Sequence, residues 1–128
     1  MKTLHVTAIT LVTAVTLLFL PSLTHAQDWY NTNWTYRKAI TIDADQVSAS
    51  LANFPLLVST NDTHLLAQAE STGVDIFFTE DDGITPLDFE IESYSDTTSL
   101  VAWVRIPSLS DTTDTTIYMY YGNSSATS

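Results

Sequence analysis

Polar and apolar residues alternate along most of the chain beyond residue 27, and the apolar positions are rich in Val, Ile, Phe, Tyr and Thr. A period of two filled with β-branched and aromatic residues predicts strands over residues 36–43, 54–60, 74–79, 86–94, 99–106 and 115–121. Only residues 62–70 read as helical, with Asn61 or Asp62 as the cap and Leu65, Leu66 and Ala69 as the apolar side. The expected fold is all-β, an antiparallel β-sandwich of jelly-roll-like kind with at most one short helix.

The last four predicted strands can be paired in sequence as an antiparallel meander, turned by residues 80–83 and 95–98. One face then collects Val74, Ile76 and Phe78, Leu87, Phe89 and Ile91, Ala102, Val104 and Ile106, and Ile117, Met119 and Tyr121. A slip of one residue would bury carboxylates in that face, so the alternation is better determined than the pairing. The opposite face carries Asp75 and Phe77, Asp88, Glu90 and Glu92, Val101, Trp103 and Arg105, and Tyr118 and Tyr120. Phe77, Trp103, Tyr118 and Tyr120 would form an aromatic strip amid carboxylates, with Arg105 near Asp88. Such a strip is either covered by another layer or used for binding.

The first 26 residues read as a secretory leader: Lys2 gives the positive start, residues 6–20 the apolar stretch, and Thr24-His25-Ala26 the cleavage pattern. Residues 27–123 are then the β-sandwich module, and residues 124–128 the start of a linker or a truncated end. Cleavage leaves Arg37, Lys38 and Arg105 against 15 acidic residues, a formal charge of −12. That surface repels nucleic acid and anionic membrane, both of which need clustered cations, so no nucleic-acid partner and no membrane insertion after cleavage are expected. The expected location is secreted or in the cell envelope. The chain has no cysteine, which excludes thiol and zinc-thiolate chemistry, and His64 is the one histidine beyond the leader.

Three chemistries compete for the acidic aromatic face. Sugars stack on aromatic rings while carboxylates accept their hydroxyl hydrogen bonds, which points to Trp103, Tyr118 and Tyr120 as a platform with Phe77 and Glu90 beside it. The alternative is that the same aromatics pack beneath the strands at 36–43 or 54–60, as inner faces of sandwiches do. Asp88, Glu90 and Glu92 lie on one side of one strand, about 6.6 to 6.8 Å between neighbours, and retaining glycosidases need two carboxyls about 5 to 5.5 Å apart. Yet the order of acidic types differs from the acidic strand of concanavalin A-like glucanases, and a solvated acidic stripe has the same pattern. No catalytic residue is therefore assigned. No cofactor is expected either: calcium is the metal that acidic loops favour, but Asp43 with Asp45, Glu80 with Asp81 and Asp82, and Asp111 with Asp114 lack the full spacing of a calcium loop. Asn33-Trp34-Thr35, Asn61-Asp62-Thr63 and Asn123-Ser124-Ser125 match the glycosylation acceptor pattern.

A set of short motifs runs through the chain in order: Trp34-Thr35-Tyr36-Arg37-Lys38, Ile40-Thr41-Ile42, Asn53-Phe54-Pro55, Asp75-Ile76-Phe77-Phe78-Thr79, Thr85-Pro86-Leu87, Ala102-Trp103-Val104 and Tyr120-Tyr121-Gly122-Asn123. Together they resemble the prokaryotic family called domain of unknown function 2341. The resemblance implies a non-catalytic module of secreted or envelope multidomain proteins, often placed before a concanavalin A-like domain. It transfers no site residues. The expected function is an accessory module binding glycan or cell surface. The alternatives are a glycoside hydrolase-like fragment using Asp88, Glu90 and Glu92, and a spacer that docks an adjacent β domain.

Overall fold

The computed structural model describes residues 28–127, so the expected leader lies outside the described residues. Six strands form: β1 (Tyr36–Ile42), β2 (Leu51–Thr60), β3 (Phe77–Thr79), β4 (Phe89–Ser95), β5 (Ser99–Leu109) and β6 (Thr115–Tyr121). They make two antiparallel three-stranded sheets, ordered β1-β6-β3 and β2-β5-β4. The expected all-β antiparallel sandwich is present. The expected helix is present as well: α1 (Thr63–Gln68) starts where the Asp62 side chain accepts from the Leu65 N–H, and Leu65 is its fully buried residue. A single 3₁₀ turn, Ala44–Gln46, connects β1 to β2.

The four-strand meander is corrected. The 80–85 turn does return the chain beside β3, through a Thr79–Pro86 bridge and a Leu87 N–H donating to the Phe78 carbonyl at 3.0 Å. One residue later the Asp88 carbonyl accepts from the Arg105 N–H of β5 at 2.9 Å. The chain thus changes sheets between Leu87 and Asp88. It changes back between β5 and β6, because β6 pairs with β1 and β3. Parity dictates which side chains share a face of a strand, but it is silent about which sheet the strand joins. The second expected hairpin holds, with Ser95 opposite Ser99 and a bulge between Ile91 and Ser93.

Both inner faces meet in one core of Ile76, Phe78, Leu87, Leu100, Ala102, Val104, Ile106, Ile117, Met119 and Tyr121, joined by Val58, Leu65 and Leu109. Most of the predicted core face is therefore inside. Phe89 departs from it: the residue points inward opposite Val104, but β4 is an edge strand, and the ring stays 36 % exposed at the rim beside Phe78.

Candidate functional site

The outer face of the β2-β5-β4 sheet is set by register. Trp103 lies opposite Leu57 on one side and Glu90 on the other, while Arg105 lies opposite Pro55 and next to Asp88. Trp103 is 41 % exposed and Leu57 48 %, large values for such side chains in a folded strand. The indole does not swing freely, because its Nε1–H donates to Glu92 Oε2 at 2.7 Å. The bulge at Ile91/Ser93 adds the residue that makes this reach available. Arg105 donates through Nε to Asp88 Oδ2 at 3.1 Å, pairs with the same oxygen through Nη2, and donates through Nη1 to Asn53 Oδ1 at 2.8 Å. The result is a shallow depression lined by Asn53, Pro55, Asp88, Phe89, Glu90, Trp103 and Arg105, with a volume of ≈ 340 Å³. A fixed flat ring, carboxylates and one guanidinium surround it.

The other predicted aromatic residues are elsewhere. Phe77, Tyr118 and Tyr120 belong to the β1-β6-β3 sheet and Trp103 to the other, so the structure does not assemble the four into one strip. Nor does a second sheet cover them, because the segment entering β1 does. Tyr30 packs on Phe77 at 4.4 Å between ring centres, Trp34 on Phe77 at 5.6 Å, and Trp29 edge-on against Tyr120 at 5.4 Å. Tyr120 is fully buried: its hydroxyl donates to the Gly83 carbonyl at 2.8 Å and accepts from Arg37 Nη1 at 3.1 Å and from the Tyr30 N–H at 3.3 Å. The Arg37 guanidinium sits 4.4 Å from the centre of the half-buried Tyr118 ring and 4.8 Å from that of Trp29. Gly83 makes the cover fit, with φ of 79° and a virtual Cβ only 2.2 Å from the Asp28 carbonyl oxygen.

A buried carboxyl group anchors this arrangement. Asp75 is 0 % exposed; its Oδ2 accepts from the Gly122 N–H at 2.6 Å and the Asn123 N–H at 3.0 Å, and its Oδ1 from the Glu70 N–H at 2.9 Å. Its main-chain carbonyl takes the indole N–H of Trp34 at 2.7 Å. Gly122 at φ 81° lets the chain turn there, where a Cβ would meet the Tyr36 ring at 2.6 Å. The sequence reading put Asp75 on an outer face and missed this role. The signal available was a lone acidic residue followed directly by the apolar run Ile76-Phe77-Phe78, together with the density of Trp and Tyr at positions 29, 30 and 34.

A smaller polar cluster lies at the start of α1. His64 Nδ1 and the Tyr121 hydroxyl are 2.9 Å apart, and the edge of the Tyr36 ring meets His64 at 4.8 Å. Lys38 pairs with Asp62; that ammonium, then the Leu65 N–H, holds the Asp62 carboxyl below the usual carboxylate range. Burial, reinforced by the nearby charge of Asp62, pushes the Tyr121 hydroxyl up to about 12. In each acidic group weighed for calcium, at least one carboxylate accepts hydrogen bonds from the protein itself. Asp43 accepts from the Asp45 N–H, Asp82 from the N–H groups of Ile84 and Thr85, Asp111 from the Ser50 hydroxyl and Asp114 from the Ala44 N–H. Of the glycosylation acceptors, Asn33 and Asn61 are exposed and Asn123 is buried.

Geometry thus defines a small antiparallel β-sandwich module with one bare, aromatic outer face. Residues 72–128 match the model of the family described as Domain of unknown function (DUF2341), which bears out the resemblance read from the sequence. The matched stretch holds β3 to β6 with Asp75, Trp103 and Gly122, while β1, β2 and the aromatic cover precede it. No curated protein and no solved structure matches the chain.

Proposed function

We propose that this chain is a secreted or envelope-located, non-catalytic accessory module that binds glycans on the outer face of the β2-β5-β4 sheet. One observation carries the reading: Trp103 is exposed and held by Glu92 with its neighbours Leu57, Pro55 and Glu90 fixed by strand register. A sugar ring gains most from an aromatic plane that has already lost its rotamer freedom, and Glu90, Asp88 and Arg105 supply polar partners at its edge. The net negative charge favours a neutral ligand over a polyanion. Phe77, Tyr118 and Tyr120, weighed with Trp103 from the sequence, have no part in this platform.

Glycan-array and affinity-gel measurements test it. Binding should fall at least tenfold in Trp103→Ala while the protein stays folded, and Tyr118→Phe should leave it unchanged. Failure to bind any glycan would sink the proposal.

The exposure of Leu57 and Trp103 side by side supports a second reading, a surface that docks a neighbouring β domain. Solvent protection of Leu57 and Trp103 that rises only when that domain is present would select it. The hydrolase alternative has less support, because Asp88 is engaged by Arg105 and Glu92 by the indole. Hydrolysis of a β-glucan that is abolished by Glu90→Gln would revive it.

A further inference from the structure

Four strands form sheet edges, and three carry features that discourage further pairing. β3 has only three residues, and β4 carries a bulge. β2 holds Pro55, whose partner Arg105 turns its N–H toward Asp88, just before β4; Pro55 therefore turns its own nitrogen to the free edge, where it has no hydrogen to donate. Beside it, Asn53 is left-handed at φ 53°. β1 has none of these devices. It is seven residues long and regular, and its one inward charge, Lys38, is neutralised by Asp62.

The side chains beside this edge are unfinished in the same sense. Ile117 and Met119 of β6 are 2 % exposed, while Ile40 and Ile42 of β1, pointing the same way, are half-buried. They line a groove of ≈ 560 Å³ that also takes in Leu56, Val58 and Met119. From these observations we infer that the β1 edge pairs with the β1 edge of a second copy, antiparallel about a two-fold axis at Ile40.

Charge selects this occupant and this register. β1 carries Arg37 and Lys38 at its start and is followed by Asp43 and Asp45, in a chain whose only other cation among the described residues is Arg105. An antiparallel pairing centred on Ile40 places Arg37 of one copy opposite Asp43 of the other, twice, and Lys38 opposite Ile42. Other faces of so acidic a molecule repel one another, whereas this edge is self-complementary. The pairing joins two three-stranded sheets into one of six strands. It also sets Ile40 of each copy against its counterpart, with Ile42 diagonal to the other copy's Ile40, covering the groove from the side.

Sedimentation equilibrium on the purified chain tests this directly. A mass of two chains is expected, falling to one chain in Ile40→Lys at the same concentration with an unchanged circular dichroism spectrum. The chain has no native cysteine, so register has a clean readout: Ala39→Cys and Thr41→Cys chains mixed under oxidation should cross-link at least tenfold faster than either alone. This second test does not depend on Ile40→Lys folding. A mass of one chain at every concentration overturns the inference, and so does a dimer that survives Ile40→Lys or shows no preference for the 39–41 cross-link.

Discussion

The two outer faces of this sandwich hold similar residues and have opposite fates. One carries Phe77, Tyr118 and Tyr120, and the chain's own residues 28–35 close over it until Tyr120 is fully buried with a satisfied hydroxyl. The other carries Trp103 with Glu90 and Glu92, and among the described residues nothing lies over the ring, which stays 41 % exposed. Both place aromatic rings at outward positions of a strand. What separates them is the sequence next door: Trp29, Tyr30 and Trp34 precede β1 and reach the first face, while the turns flanking β5 are small and polar. An aromatic strip in a strand therefore has to be read with the segments able to fold back on it.

The comparison breaks most violently at its anchor. Asp75→Ala leaves three main-chain N–H groups without their acceptor and should cost about 4 kcal/mol in denaturant unfolding, with Trp29, Tyr30 and Trp34 fluorescence shifting toward solvent. On the covered face, Tyr120→Phe removes the hydroxyl that Gly83, Arg37 and Tyr30 share, and a loss of about 2 kcal/mol is expected.

Alkaline pH sharpens the contrast between cover and core. Tyr121 has its folded value raised to about 12 from 10.0, so its protonated form is the one that folding favours. Stability is complete below the unfolded value and falls as pH climbs from about 10 to about 12; Tyr121→Phe should flatten that fall in thermal melts.

Trp103→Ala on the bare face should cost about 1 kcal/mol, since 41 % of the residue is already exposed, while lowering glycan binding at least tenfold. The smallest effect has the opposite sign. The Tyr94 hydroxyl is buried with no hydrogen-bond partner, so Tyr94→Phe should be neutral or stabilise by about 0.5 kcal/mol.

Much of this architecture was legible in the residues. The alternation marks every strand and puts Ile76, Phe78, Val104, Ile106, Ile117 and Met119 inside, because side-chain period is a local property of an extended chain. The helix cap was legible to within one residue, as Asn61 or Asp62, because a carboxylate or amide before a helical turn meets its free N–H groups locally, and Asp62 is the one that does. Sheet membership was not: Leu87 and Asp88 are adjacent in sequence yet bond to different sheets, and that choice depends on the sum of distant contacts. At the candidate site, the hairpin that brings Trp103 and Glu90 to one face was legible, but their direct pairing depends on the bulge at Ile91/Ser93, since the Ser95–Ser99 register alone would set Trp103 opposite Ile91; the separation of Trp103 from Tyr118 and Tyr120 required knowing that β6 leaves the sheet of β5. The Asp75 anchor needed the end of β6 and the loop after α1 to meet, a contact no local pattern encodes.

That anchor also governs how the domain would respond to being pulled. Tyr36, the first residue of β1, is paired with Tyr121, the last of β6, so tension between the two ends of the ladder would open it like a zipper, one pair after another, rather than shear all pairs at once. Before the first tooth lies the clamp: Trp34 on one side and Gly122 with Asn123 on the other are both tied to Asp75. Mechanical strength along this direction therefore resides in one buried residue, through its carboxylate and its main-chain carbonyl, and a module tethered by both ends would yield at Asp75 before any strand had begun to part.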